Sequence, residues 1–116
     1  MSNSKEMAKI AYSAMEDKLA KDIKIIDISN ISVVADYFLI ADGRNKNQVQ
    51  AIAGNVEEFL HKAGYHPKSI EGYTTANWIL MDYSDIIVHI FSSDDRSFYD
   101  LERIWRDGVE VSPADL

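Results

Sequence analysis

The chain has 116 residues, 47% of them hydrophobic and 27% charged, which suits one small domain with a single core and excludes wholesale disorder. It holds no cysteine, which excludes disulfides, thiolate metal sites and a cysteine nucleophile, and is compatible with a reducing cytosol. The net charge is −7 and the 12 Lys and Arg are scattered, so there is no basic patch of the kind that grips phosphate backbones; such acidity favours association with a basic protein instead.

In the N-terminal stretch MSNSKEMAKIAYSAMEDK charges interrupt every apolar run. It reads as neither a signal peptide nor a membrane span. Met7, Ile10, Ala11, Ala14 and Met15 keep helical spacing and predict a helix over 3–20. Residues 22–28 (DIKIIDI) carry the β-branched bulk of a short strand, and Ser29-Asn30 is a turn signal. Residues 33–41 (VVADYFLIA) form a nearly continuous apolar run, as in a central strand covered on both faces.

Asp42-Gly43 closes that run, and a second helix is predicted over 46–63. Asn45 is its N-cap, with Gln48 three residues on as in a capping box. Val49, Ile52, Val56, Phe59 and Ala63 mark its buried stripe. Gly64 is the stop, with Pro67 just beyond. Gly54 inside the helix costs about 1 kcal/mol against Ala and is read as a point of close packing. Residues 67–72 predict a short strand or extended link. Trp78–Met81 and Ile86–Phe91 predict two strands joined by Asp82-Tyr83-Ser84-Asp85, whose Asp and Ser side chains favour a turn.

A third helix is expected over 95–107, with Phe98, Leu101, Ile104 and Trp105 as its stripe. Arg103 and Arg106 suit its C-terminal dipole, and Gly108 ends it. The tail, 109–116, is expected to be loose. The order α-β-β-α-β-β-β-α predicts an α/β (α+β) domain over 1–108, a mixed sheet of about five strands packed with helices.

Few residues are placed for chemistry. Asp82 and Asp85 fall on the turn, and His89 lies on the order of 13 Å further along an extended strand. Metal sites need three or four converging ligands. His89 shares its strand face with Ile87 and Phe91 and reads as a hydrogen-bonded core residue. His61 and His66 are five apart across Gly64, without the spacing of a helix-borne zinc pair, and read as surface residues. The segment Gly43-Arg44-Asn45-Lys46 has one glycine and two basic residues, a weak phosphate signal that a helix-capping loop explains as well. No nucleophile elbow is present. The aromatic residues Tyr73, Trp78, Tyr99 and Trp105 are numerous for so small a domain. Tyr99 sits about a hundred degrees from Phe98 on the helix wheel, beside Glu102, Arg103 and Arg106. An interface aromatic and a cover for a core edge are both open readings of it.

Taken together, SVVADYFLIADGRNKNQVQAIA, EGYTTANWILMDYSDIIVHIF and RSFYDLERIW resemble the ribosomal silencing factor family (RsfS, also called Iojap or YbeB-like proteins). The resemblance runs over about 5–107. It rests on Glu71, Gly72, Trp78, Ile79, Asp82, Asp85, Ile87, Val88, His89, Phe91, Arg96, Tyr99, Leu101, Glu102 and Trp105. Ser84 departs from it, since members often carry glycine there.

The resemblance implies a nucleotidyltransferase-like fold without enzymatic activity, cofactor or metal. It implies a cytoplasmic protein that binds large-subunit ribosomal protein fourteen, blocks subunit joining and so represses translation when nutrients are scarce, with little direct nucleic-acid contact. Some members are homodimers when free. The family's binding surface maps onto Glu71, Trp78, Asp82, Arg96, Tyr99 and Glu102, with Trp78 or Tyr99 as aromatic anchor and the acidic residues paired with basic side chains of the ribosomal protein. The residues also argue against transferase chemistry on their own: Arg44 follows Gly43 where a Gly-Ser turn is needed, and Asp82 and Asp85 are three apart, not alternate. The rival from another class is a nucleotide-dependent enzyme with phosphate at Gly43–Lys46 and metal at Asp82 and Asp85. A dimeric scaffold with another partner is the third reading.

Overall fold

The computed structural model of the chain describes residues 3–33, 35–93 and 108–116. The third helix expected over 95–107 lies outside them, and so do Arg96, Tyr99, Glu102 and Trp105.

The described elements are α1 (Ser4–Asp17), β1 (Lys21–Asp27), β2 (Tyr37–Gly43), α2 (Lys46–Lys62), β3 (Ser69–Glu71), β4 (Trp78–Asp82), β5 (Ile86–Ser92) and β6 (Val109–Val111), followed by a 3-10 turn at Pro113–Asp115. The strands form one sheet in the order β3-β4-β5-β2-β1-β6. β2 and β5 run parallel, and every other pair is antiparallel. The parallel pair at the centre is connected through α2 and the β3–β4 strands, as a crossover requires.

The tail differs from expectation. Val109–Val111 is not loose but pairs with β1 through Ile25↔Val111 and Ile26↔Glu110, making the sheet six-stranded. Lys24 Nζ and Glu110 Oε2 lie 3.5 Å apart across that pair. The added strand satisfies backbone groups that β1 would otherwise present at a sheet edge.

β2 starts later than the apolar run suggested. The described residues between β1 and β2 instead close the hairpin: Ile31 and Ser32 donate their amides to the Ile28 carbonyl, and Ile28 donates to the Asp36 carbonyl. Val33 is fully exposed there.

α1 and α2 cover one sheet face. α1 contributes Met7, Ala8, Ala11, Ala14 and Met15, and α2 contributes Val49, Ile52, Ala53, Val56 and Leu60. They meet Ile25, Leu39, Ala41, Ile79, Met81, Val88 and Ile90 from alternate strand positions. Phe59, placed on the α2 stripe, is only half-buried, and Ala63 is exposed. A polar tie joins the helices: buried Asn55 donates to the Ala14 carbonyl (2.8 Å) and to Asp17 (3.1 Å) at the end of α1. Among the described residues no helix is long and apolar enough to cross a membrane.

Candidate functional site

The other sheet face is built from the remaining strand positions. Alternation puts Trp78, Leu80 and Asp82 of β4 on it. The register then adds Phe91, His89 and Ile87 from β5, Phe38 and Ile40 from β2, and Ser69 and Glu71 from β3. Ile26, Ile28, Ala35, Ile40 and Phe91 are buried there, with Phe38, Trp78 and Ile87 packed against them.

Its centre is aromatic. Trp78 stacks on Phe91 with centroids 5.3 Å apart and on His89 at 5.7 Å. Phe38 tilts against His89 at 4.8 Å. Trp78 Nε1 donates a hydrogen bond to His89 Nδ1 at 3.0 Å. Because Nδ1 accepts, the neutral ring carries its proton on Nε2, which is buried and finds no hydrogen-bond partner among the described residues. Burial pushes the His89 pKa down from its ordinary value to about 4. The packed, hydrogen-bonded reading of His89 is therefore correct.

Glu71 and Asp82 flank this centre on the same face, Glu71 opposite Leu80 and Asp82 opposite Ser69. Glu71 is exposed, while Trp78 and Asp82 are half-buried. Three of the six residues singled out from sequence, Glu71, Trp78 and Asp82, thus share one surface. Arg96, Tyr99 and Glu102 lie outside the described residues.

Gly72 fixes how Glu71 sits against Trp78. Its φ is +80°, and a Cβ there would lie 2.2 Å from the Trp78 carbonyl oxygen. Only glycine fits both constraints. The following loop closes on the same residue, since Ala76 donates its amide to the Gly72 carbonyl at 2.9 Å.

The Asp82–Asp85 stretch is a turn, as expected. Asp82 Oδ1 accepts the Ser84 amide at 2.8 Å, and Tyr83 donates its amide to the Ile86 carbonyl. Ser84 adopts φ +70°, the left-handed conformation that glycine takes without strain. Among the described residues no group of three or more His, Cys, Asp and Glu is arranged to hold a metal.

The Gly43–Lys46 loop caps α2. Asn45 Oδ1 accepts the Gln48 amide at 2.9 Å, and the Gln48 side chain reaches back to the Arg44 amide, one residue further than in the usual box. The Gln48 side-chain nitrogen also donates to the Lys18 and Leu19 carbonyls just beyond α1. Gly43 packs tightly on Val49, whose Cγ2 lies 2.6 Å from where a Cβ would stand. Side chains of this segment thus take amides that a phosphate cradle would need free.

Gly54 corrects another expectation. A Cβ built there meets nothing within 4 Å, so close packing does not account for this glycine.

A six-stranded mixed sheet with α1 and α2 packed on one side, and a largely buried aromatic cluster on the other, defines an α+β fold. Comparison with known proteins makes that specific. The chain matches the family described as "Ribosomal silencing factor during starvation" over residues 1–116. It is 46% identical over 105 residues to the ribosomal silencing factor RsfS of Bacillus subtilis, covering 90% of this chain and 89% of that one. A crystal structure from Bacillus halodurans superposes with a TM-score of 0.83 at 36% identity, covering 92% of this chain and 97% of the other. One from Chromobacterium violaceum gives 0.86 at 32% identity, over 90% and 88% of the two chains. The chain belongs to the ribosomal silencing factor family.

Proposed function

We propose that this protein is a translational silencing factor that binds large-subunit ribosomal protein fourteen and sterically prevents the two ribosomal subunits from joining. The observation that carries this reading is the family match over residues 1–116. Steric occlusion needs no catalytic group. It needs a firm contact surface, and the face holding Glu71, Trp78 and Asp82 supplies a half-buried aromatic residue with two carboxylates further along the same face. Aromatic anchors ringed by charge are typical of protein interfaces.

The net charge of −7 supports a basic protein partner over the RNA backbone. In this reading Glu71 and Asp82 meet lysines and arginines of the ribosomal protein, and Arg96, Tyr99 and Glu102 extend the surface. The protein acts in the cytoplasm, represses translation under nutrient limitation and pairs with itself when free.

A subunit-joining assay tests the mechanism. Saturating factor added to isolated subunits is expected to deplete joined ribosomes. Unimpaired joining at saturation would sink it.

A further inference from the structure

The C-terminal end of α2 brings together two residues that their spacing had left apart. α2 ends in a Schellman motif: Gly64, at φ +93°, donates its amide to the His61 carbonyl, and Tyr65 donates to Leu60. The chain reverses there and returns past the helix. His66 Nδ1 then faces His61 Nδ1 at 3.3 Å, with the rings edge to face.

We propose that His61 and His66 form a two-histidine site for a divalent cation of the zinc or nickel class. Two imidazole nitrogens that face each other so closely share something. In the metal-free chain it is a proton, one ring donating and the other accepting, because two lone pairs or two N–H groups would repel. A metal can take that proton's place. With Zn–N bonds of about 2.05 Å, nitrogens 3.3 Å apart subtend about 107° at the metal, close to a tetrahedral angle. The helix end therefore holds the pair near chelating distance.

The surroundings suit a cation. His61 and His66 line a pocket of about 330 Å³ together with Glu57, Glu58, Gly54 and Pro67. Glu57 and Glu58 stand four and three residues before His61 on α2, so both project from the same side of the helix as His61. Glu58 pairs with Lys62 at 3.4 Å on an exposed surface, a contact weak enough to exchange. Gly54 presents no side chain to the pocket, and open space lies where its Cβ would be.

The site supplies two imidazoles; no third His, Asp or Glu among the described residues is arranged to join them, so the cation keeps water at its other positions. Nitrogen donors select zinc, nickel or copper over magnesium and calcium.

The test is calorimetric titration of the chelator-stripped full chain with Zn²⁺, Ni²⁺ and Mg²⁺, alongside long-range ¹H–¹⁵N spectra of the histidines. The expected result is one Zn²⁺ or Ni²⁺ per chain, with both Nδ1 signals shifted and no response to Mg²⁺. His61→Ala and His66→Ala should each weaken binding at least about tenfold. Both side chains are exposed, so metal-free melting temperatures should match the parent and show that the variants fold. No saturable heat in the parent, undiminished binding in either variant, or equal binding of Mg²⁺ would overturn the proposal and leave a simple imidazole–imidazole hydrogen bond.

Discussion

The indole N–H of Trp78 is bonded to Nδ1 of His89, 3.0 Å away across the β4–β5 pair. The two are diagonal neighbours, since Trp78 stands opposite Phe91 and His89 opposite Leu80. The bond holds the half-buried indole in one orientation on the face that carries Glu71 and Asp82, and it requires a neutral histidine.

That requirement makes stability depend on pH. The unfolded chain protonates this histidine near pH 6.5, and the folded chain only near 4. The stability at stake is complete above about 6.5 and is lost as pH falls from there toward 4, by about 3 kcal/mol in all. Urea denaturation across that range should show the loss, and His89→Gln should flatten that part of the curve. An NMR titration placing the His89 midpoint near 6.5 would refute the assignment.

Gly72→Ala should be among the most damaging single changes. It combines a left-handed backbone with a 2.2 Å approach to the Trp78 carbonyl. A cost of at least about 2 kcal/mol is expected, together with a shift in tryptophan emission. A melting temperature equal to that of the parent would refute it.

Gly54→Ala should do the reverse. Nothing opposes a methyl group there, so helix propensity decides the sign, and a gain of about 1 kcal/mol is expected. A loss of stability in chemical denaturation would mean that some contact does depend on the glycine.

Ser84→Gly relieves φ +70° while leaving the Ser84 amide bonded to Asp82. The relief outweighs the greater freedom of glycine in the unfolded chain, for a net gain of about 0.5 kcal/mol. Thermal unfolding of the variant measures it directly, and a lower midpoint would contradict it.

These positions also show how far the sequence could be read. The helical spacing of Met7, Ala11, Ala14 and Met15, and of Val49, Ile52 and Val56, identified buried stripes because burial is what creates such periodicity. The Asp82–Asp85 turn was legible because Asp82 bonds a backbone amide nearby. β6 was not, because three residues carry too little pattern and its partner β1 lies over eighty residues away. The apolar run at 33–41 hid the boundary of β2, since composition does not distinguish strand residues from those that close a hairpin. Of the candidate surface, Glu71, Trp78 and Asp82 came from family resemblance, and alternation along β4 shows why Trp78 and Asp82 share a face. The Trp78–His89 bond depends on the β4–β5 register, which no local pattern encodes, whereas Gly64 was legible as a helix stop but not the return path that sets His66 against His61.

The most direct test of the proposed surface is co-sedimentation of the parent and Glu71→Lys with isolated ribosomal subunits. Glu71 is exposed at the edge of the face, so reversing its charge should leave the fold intact while setting like charges against a basic partner. The parent is expected to pellet with the large subunit and not the small one, and Glu71→Lys to bind at least about tenfold more weakly. Failure of the parent to pellet with the large subunit would contradict the account, and equal binding by Glu71→Lys would contradict its choice of surface.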